Sequence, residues 1–249
     1  MIRPRLLDLF CGAGGAAMGY HRAGFEIMGV DHKPQPRYLL SGASAFILAD
    51  ALEYVREHGR EYDAIHASPP CQAYSIMRNL PWLRDKEYPR LIDPTREALT
   101  ATGKPWLIEN VMGAKLAAGW LCGGMFGLPF YRHRAFETNW FWLQPGHPRH
   151  EFTVRNGRMM GARARDIVHA GAWQRTDNQR RGSHLSLPIG GNGAQRIGAN
   201  LGHAAGVGLA REVMGIPWMS RDEITQAIPP AYTEWIGKQL MTVVRRTVE

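Results

Sequence analysis

The chain has 249 residues, with 30 Lys and Arg against 22 Asp and Glu, a formal net charge of +8 and an isoelectric point near 9.7. Its 45% hydrophobic and 21% charged content is that of a globular protein and excludes a disordered, collagen-like or membrane-spanning chain. Cys11, Cys71 and Cys122 are the three cysteines, with no C-x-x-C pair and no close Cys/His cluster of zinc-ligand spacing, so neither a disulfide framework nor a bound metal is expected.

Asp8 interrupts the first apolar run after two residues, too early for a signal peptide or a membrane helix, so a cytoplasmic protein is expected. From there the chain alternates short apolar runs with helical patterns: RLLDLF as strand, GGAAMGYHRAG as helix, FEIMGVD and FILAD as strands, ALEYVREHG as helix, then YDAIHASPP as strand and turn. LIDPTREALTATG reads as helix, and PWLIENV and AFETNWFWL as strands. This rhythm predicts an α/β fold over residues 1–143, a doubly wound, mostly parallel sheet whose ligands bind beyond the carboxyl ends of its strands. After Leu143 the rhythm stops and Gly becomes frequent, which marks a second, small domain over 144–203. Periodicity resumes at LAREVMG, and PAYTEWIGKQLMTVVRRTV, which follows Pro229, reads as a helix. In this reading residues 204–249 return to the first domain.

The charge is unevenly spread. Residues 144–203 hold nine Arg, no Lys and three acids, Glu151, Asp166 and Asp177, and so carry +6 of the +8. Two readings fit: a solvated, Gly-rich loop, or a polyanion-binding module in which guanidinium groups fork onto phosphates and guanine edges.

Three motifs carry chemistry. DLFCGAGG runs a strand into a turn with Gly12, Gly14 and Gly15, where a ligand can approach the backbone. The next strand ends at Asp31, where an acid can receive ribose hydroxyls, and the third at Asp50, where one could receive an adenine amino group. Either acid equally suits a helix N-cap. ASPPCQAYS sets Cys71 behind two prolines at the end of the fourth strand, a rigid and exposed position, whereas Cys11 and Cys122 read as buried thiols. WLIENV closes the fifth strand with Glu109 and Asn110, so a carboxylate is expected to face the thiol.

DLFCGAGG, PPCQ, ENV, RHR and a late AIPP, in this order and spacing, resemble the cytosine-C5 DNA methyltransferases over residues 5–143 and 209–244, leaving the basic middle unmatched as the family's target-recognition domain. The chain looks like a compact, phage-like member. The resemblance implies a sheet of the S-adenosylmethionine-dependent methyltransferase type. It also implies S-adenosylmethionine as methyl donor, S-adenosylhomocysteine as product, and methyl transfer to C5 of a flipped cytosine in duplex DNA. Donor contacts are then expected from Phe10, Gly12, Gly14, Gly15, Asp31, Asp50, Pro70 and Ala227. Cys71 matches the family nucleophile, Glu109 the acid at N3, and Arg132 and Arg134 the paired arginines near the thiol. Two departures stand out: Phe130 where the family commonly has Gln, and Thr225-Gln226 where it has Gly-Asn.

DNA contacts are expected from Gln72, Ser75 and Arg78 in a loop over residues 72–88 that closes on the flipped base, and from Arg155, Arg158, Arg163, Arg165, Arg175, Arg180 and Arg181. A monomer with no membrane partner is expected. The alternatives are the same chemistry on tRNA, and a catalytically silent DNA-binding regulator, against which the retained Cys71, Glu109, Arg132 and Arg134 argue.

Overall fold

In the computed structural model the described residues are 3–75, 86–117, 119–128, 130, 132–149, 153–155, 158–160, 167–169, 184–186 and 207–248. Seven strands form one sheet: β1 (Arg5–Leu9), β2 (Glu26–Asp31), β3 (Ala45–Leu48), β4 (Ala64–Ala67), β5 (Trp106–Asn110), β6 (Gly119–Leu121) and β7 (Arg134–Thr138), in the order β3-β2-β1-β4-β5-β7-β6. The first five pair in parallel, and β7 runs antiparallel to both β5 and β6. This is the doubly wound, mostly parallel sheet expected. The central strands are buried on both faces, as a parallel sheet covered on both sides requires, although one face also carries the buried polar side chains of Asp8, His66 and Glu109. Every residue of β4 and β5 is buried. On one face Leu7, Leu9, Ile65, Ala67 and Ile108 pack with Val55 of α2 (Ala51–His58) and with Ala98 and Leu99 of α3 (Ile92–Ala101).

Two predicted strands are shorter than their patterns suggest. β3 stops at Leu48, so Asp50 lies beyond the strand, and β7 stops at Thr138 rather than running through the aromatics to Leu143. The cause is local: Asn139 accepts from the Trp106 N–H at 2.7 Å and donates to the Lys104 carbonyl at 2.9 Å, and the Thr138 hydroxyl bonds to the Trp140 carbonyl, so side chains take the place of the ladder.

Helix α1 (Gly15–Ala23) follows the glycine turn, and its back packs on α6 (Pro230–Val248), which begins on the predicted proline. The two helices approach closely because glycine lies at the contact. A Cβ on Gly19 would come 2.0 Å from Thr233 Oγ1 and 2.2 Å from the Pro230 carbonyl, and one on Gly237 would come 2.8 Å from Ala23 Cβ. The Thr233 hydroxyl, fully buried, donates to the Ala16 carbonyl at 2.9 Å. Thus the end of the chain fixes the helix that starts at the glycine turn.

The chain forms two compact units. The first comprises residues 1–121, 134–144 and 228–249, and the second residues 122–133 and 145–227. The second takes in 122–133 and 204–227, which sequence alone groups elsewhere. It contains α4 (Val207–Met214), α5 (Arg221–Gln226), an antiparallel pair of β8 (Thr153–Arg155) with β9 (Arg158–Met160), and a parallel pair of β10 (Ile167–His169) with β11 (His184–Ser186). Arg155 and Arg158 are the last pair in the register of their ladder. Helix α5 has a full capping box between Ser220 and Glu223, a start signal that the apolar periodicity does not carry. Among the described residues no helix is long and apolar enough to cross a membrane.

The α1–α6 contact predicts a specific weakness. Gly19→Ala forces a methyl into backbone and should lower unfolding stability by about 1–3 kcal/mol, the usual cost of overpacking, as read by urea denaturation. Gly103→Ala, whose added Cβ would meet nothing within 4 Å, serves as comparison and should lose only its left-handed backbone preference.

Candidate active site

The turn between β1 and α1 is left-handed at three residues: φ is 56° at Phe10, 50° at Gly12 and 87° at Gly14. For a bulky residue such as Phe10 this conformation costs about 1–3 kcal/mol, and it persists only where neighbours enforce it. The enforcing group is the buried carboxylate of Asp31 at the end of β2. Its Oδ2 accepts from the Gly12 N–H at 3.0 Å and its Oδ1 from the Lys33 N–H at 2.9 Å, while the Cys11 N–H donates to the Val30 carbonyl. A Cβ on Gly14 would meet Ser41 at 2.7 Å, but one on Gly12 would meet nothing within 4 Å, so the turn is open on that side. Helix α1 begins there with no side-chain cap and no acid in its first turn, leaving its positive end suited to an anionic group.

Asp50 takes the capping role: its Oδ1 accepts from the Leu52 N–H at 2.8 Å and the Glu53 N–H at 3.0 Å at the start of α2. It is exposed, and both bonds fall on one oxygen. Beneath the turn lies a network that the sequence reading missed. Asp8, 1% exposed in the middle of β1, accepts from the Tyr38 hydroxyl at 3.0 Å and lies 3.3 Å from His66 Nδ1, while His66 Nε2 bonds with the Ser68 hydroxyl at 2.9 Å. Gly29 admits the Tyr38 ring, which a Cβ there would approach to 2.2 Å. The available sequence signal was an acid inside an otherwise apolar strand.

Cys71 follows β4 through Ser68-Pro69-Pro70. The Asn110 side chain, buried at the end of β5, donates to the Pro69 carbonyl at 2.8 Å, and the Cys71 carbonyl accepts from the N–H groups of Tyr74 and Ser75 at 3.0 and 2.9 Å. A second brace lies at Gly113, where a Cβ would come 2.3 Å from the Tyr74 carbonyl. Cys71, Pro70 and Ser75 are half-buried and Gln72 is exposed.

Glu109 is 5% exposed, and Arg134 at the start of β7 brings Nε to 2.9 Å from its Oε1. The fold therefore brings together the predicted acid and the second predicted arginine, beside the strand that precedes Cys71. Arg132 goes elsewhere. It is buried in the second unit and donates through Nη2 to the Thr225 carbonyl at 2.7 Å, in the last turn of α5. Phe130 is fully buried against Gly123, where it acts as a packing residue. The Thr225 hydroxyl bonds to the Asp222 carbonyl, and Ala227, buried, also belongs to the second unit. Arg78, Arg163, Arg165, Arg175, Arg180 and Arg181 lie outside the described residues, as does most of the expected 72–88 loop.

The three thiols differ. Burial and the nearby carboxylates of Asp8 and Asp31 push the Cys11 thiol far above its ordinary range, and burial pushes Cys122 upward too. Cys71 is the one of the three that is not buried. Distant spacing hides a further grouping: Cys122, His133 and His147 converge in the second unit, their donor atoms all within 4.8 Å of one another.

Residues 4–116 match the family model described as C-5 cytosine-specific DNA methylase. The chain is similar to the type II methyltransferase M.FnuDI of Fusobacterium nucleatum, 32% identical over 112 residues that make up 44% of this chain and 33% of that protein. It is also similar to M.AquIA of Picosynechococcus, 27% identical over 124 residues, 45% of this chain and 50% of that one. The chain thus spans a third to a half of these relatives' length. Two solved structures share the fold: a prophage-encoded candidate DNA modification methyltransferase of E. coli, with TM-score 0.58 at 15% identity covering 97% of this chain and 99% of the other, and a methyltransferase of Entamoeba histolytica, with TM-score 0.54 at 12% identity covering all of both.

The thiol environments predict that iodoacetamide modifies Cys71 in the native protein, with Cys11 and Cys122 reacting only after unfolding, as peptide mass mapping would read. Because folding raises the Cys11 pKa, its contribution to stability is complete below the unfolded value of about 8.5 and is lost as pH rises above it. Between pH 9 and 10 the wild type should lose about 1 kcal/mol more than Cys11→Ala in denaturant melts.

Proposed function

From the match of residues 4–116 to the C-5 cytosine-specific DNA methylase family model and the similarity to type II methyltransferases, we propose that the chain transfers a methyl group from S-adenosylmethionine to C5 of a flipped cytosine in duplex DNA. The observation that carries this reading is the carboxyl edge of the sheet. The open glycine turn held by Asp31, the braced Cys71 turn and the buried Glu109–Arg134 pair follow β1, β4 and β5 in adjacent positions.

The donor supplies a methyl group on a positively charged sulfur. In this reading the Asp31 carboxylate, already fixed by two backbone N–H groups, receives the ribose hydroxyls through its remaining lone pairs. Phe10 would hold the adenine, and the second oxygen of Asp50 would accept from its amino group. Gly12, Gly14 and Gly15 let the methionine part approach the start of α1, with Pro70 and Ala227 as further contacts.

Cytosine C5 is a poor nucleophile. The Cys71 thiolate would add to C6 as the C5=C6 π pair moves onto C5, which would make C5 nucleophilic toward the methyl group that the donor supplies. Loss of the C5 proton to a base and of the thiolate from C6 then restores the ring. Charge builds at N3 when the thiolate adds, and Glu109 holds a proton there, aligned by Arg134, which also takes the base oxygen O2. Flipping the base out of the stack is the step that admits it to this edge. Residues 144–203, with their nine arginines, are assigned to phosphate contact and base reading.

Cys71→Ser should abolish methyl incorporation into duplex DNA, and duplex carrying 5-fluorocytosine should trap wild type alone, with the adduct mapped to Cys71. An adduct on Cys11 or Cys122 overturns the assignment, and incorporation into tRNA but not duplex DNA overturns the substrate. Asp31→Ala should weaken donor binding by about 1.5–3 kcal/mol in calorimetry, the worth of hydrogen bonds to a charged group.

A further inference from the structure

The antiparallel ladder of β6 and β7 pairs Gly119 with Phe136, Trp120 with Ala135 and Leu121 with Arg134. One step further along the same register sets Cys122 opposite His133. Directly opposed residues in such a ladder hold their Cβ atoms about 4.5–5.5 Å apart on the same face, and Cys122 and His133, just outside the two strand ends, continue that register. His147 joins them from the segment after β7, its ring centroid 5.6 Å from that of His133. From this convergence we propose that Cys122, His133 and His147 form a site for a single borderline-soft divalent ion of the zinc type.

The donor chemistry favours zinc over a hard cation. One thiolate and two imidazoles are ligands that magnesium and calcium, which take oxygen, do not select. Tetrahedral zinc with bonds of about 2.0–2.3 Å separates its donors by about 3.3–3.7 Å. Donor atoms already within 4.8 Å must therefore draw in by roughly an ångström, a motion that side-chain rotation of the exposed His147 can supply. Cys122 precedes the turn Gly123–Phe126 and is buried, so its sulfur is held in place beside the two imidazoles. On binding, the ion takes the sulfur lone pair and the thiol proton leaves to water. Three protein ligands leave the fourth position to water.

The placement suggests a structural use. The chain passes between the two units after residues 121, 133, 144 and 227, and Cys122, His133 and His147 lie at or within three residues of the first three of those points. An ion there ties together three stretches of chain that are otherwise remote in sequence, one of which contains Arg132.

The test uses the full chain and metal alone, independently of methyl transfer. Protein purified without chelator should carry one zinc per chain by elemental mass spectrometry. After chelation, Co²⁺ titration should yield visible d–d absorption of a tetrahedral ion and a thiolate-to-cobalt charge-transfer band. Cys122→Ala should abolish the charge-transfer band, Cys71→Ala should keep it, and His147→Ala, a change at an exposed residue that leaves folding intact, should lower cobalt affinity at least tenfold. Absence of bound zinc and cobalt, a charge-transfer band that survives Cys122→Ala, or unchanged affinity in His147→Ala overturns the site.

Discussion

The bond between the Asp31 carboxylate and the Gly12 N–H is the joint on which the geometry of the glycine turn depends. It spans neighbouring parallel strands at their carboxyl ends and holds Phe10, Gly12 and Gly14 in a conformation that a free turn would leave. The turn fixes where α1 begins, and α1 is held from behind by α6 through contacts only glycine permits at residues 19 and 237. A strained turn is thus clamped at its front by one buried charge and at its back by the end of the chain. Asp8 lies under the same turn and is held by Tyr38, so two carboxylates sit close to Cys11 and keep it a protonated, inert thiol.

The other half of the edge is built from β5. Its last two residues do different work: Asn110 reaches across to the Pro69 carbonyl and sets the turn that bears Cys71, while Glu109 stays on its own strand and pairs with Arg134. Because β7 is antiparallel, its first residue, not its last, arrives at this edge, which is how an arginine far along the chain meets Glu109. A buried carboxylate is costly unless it is paired, and this pairing keeps one acid in position with little freedom to turn away.

Much of this was legible in the sequence because parallel strands buried on both faces leave apolar runs, and because glycine, proline and cysteine at strand ends mark turns. β1, β2, β4, β5 and the helices α1, α2, α3, α4 and α6 follow their patterns. What was not legible arises from contacts between distant residues. Asn139 ends β7 by bonding across to Trp106 and Lys104, and no local pattern shows it. β6 is three residues long and exists because β7 pairs with it. Arg132 and Arg134 look equivalent in RHR, yet only Arg134 lies in β7, and one side chain goes to the Thr225 carbonyl and the other to Glu109. Cys122, His133 and His147 have no metal-like spacing and converge through ladder register. Asp50 carried two readings, and the helix-cap one is realised in the geometry of α2.

The claim that the Asp31-clamped turn is the donor site is tested most directly by a crystal structure of the chain with S-adenosylhomocysteine. The predicted result is a ribose with both hydroxyls on the Asp31 carboxylate, the adenine against Phe10, and the Gly12 N–H still bonded to Asp31. Product bound at any other edge of the sheet, or an Asp31 carboxylate that makes no contact with it, would contradict the claim.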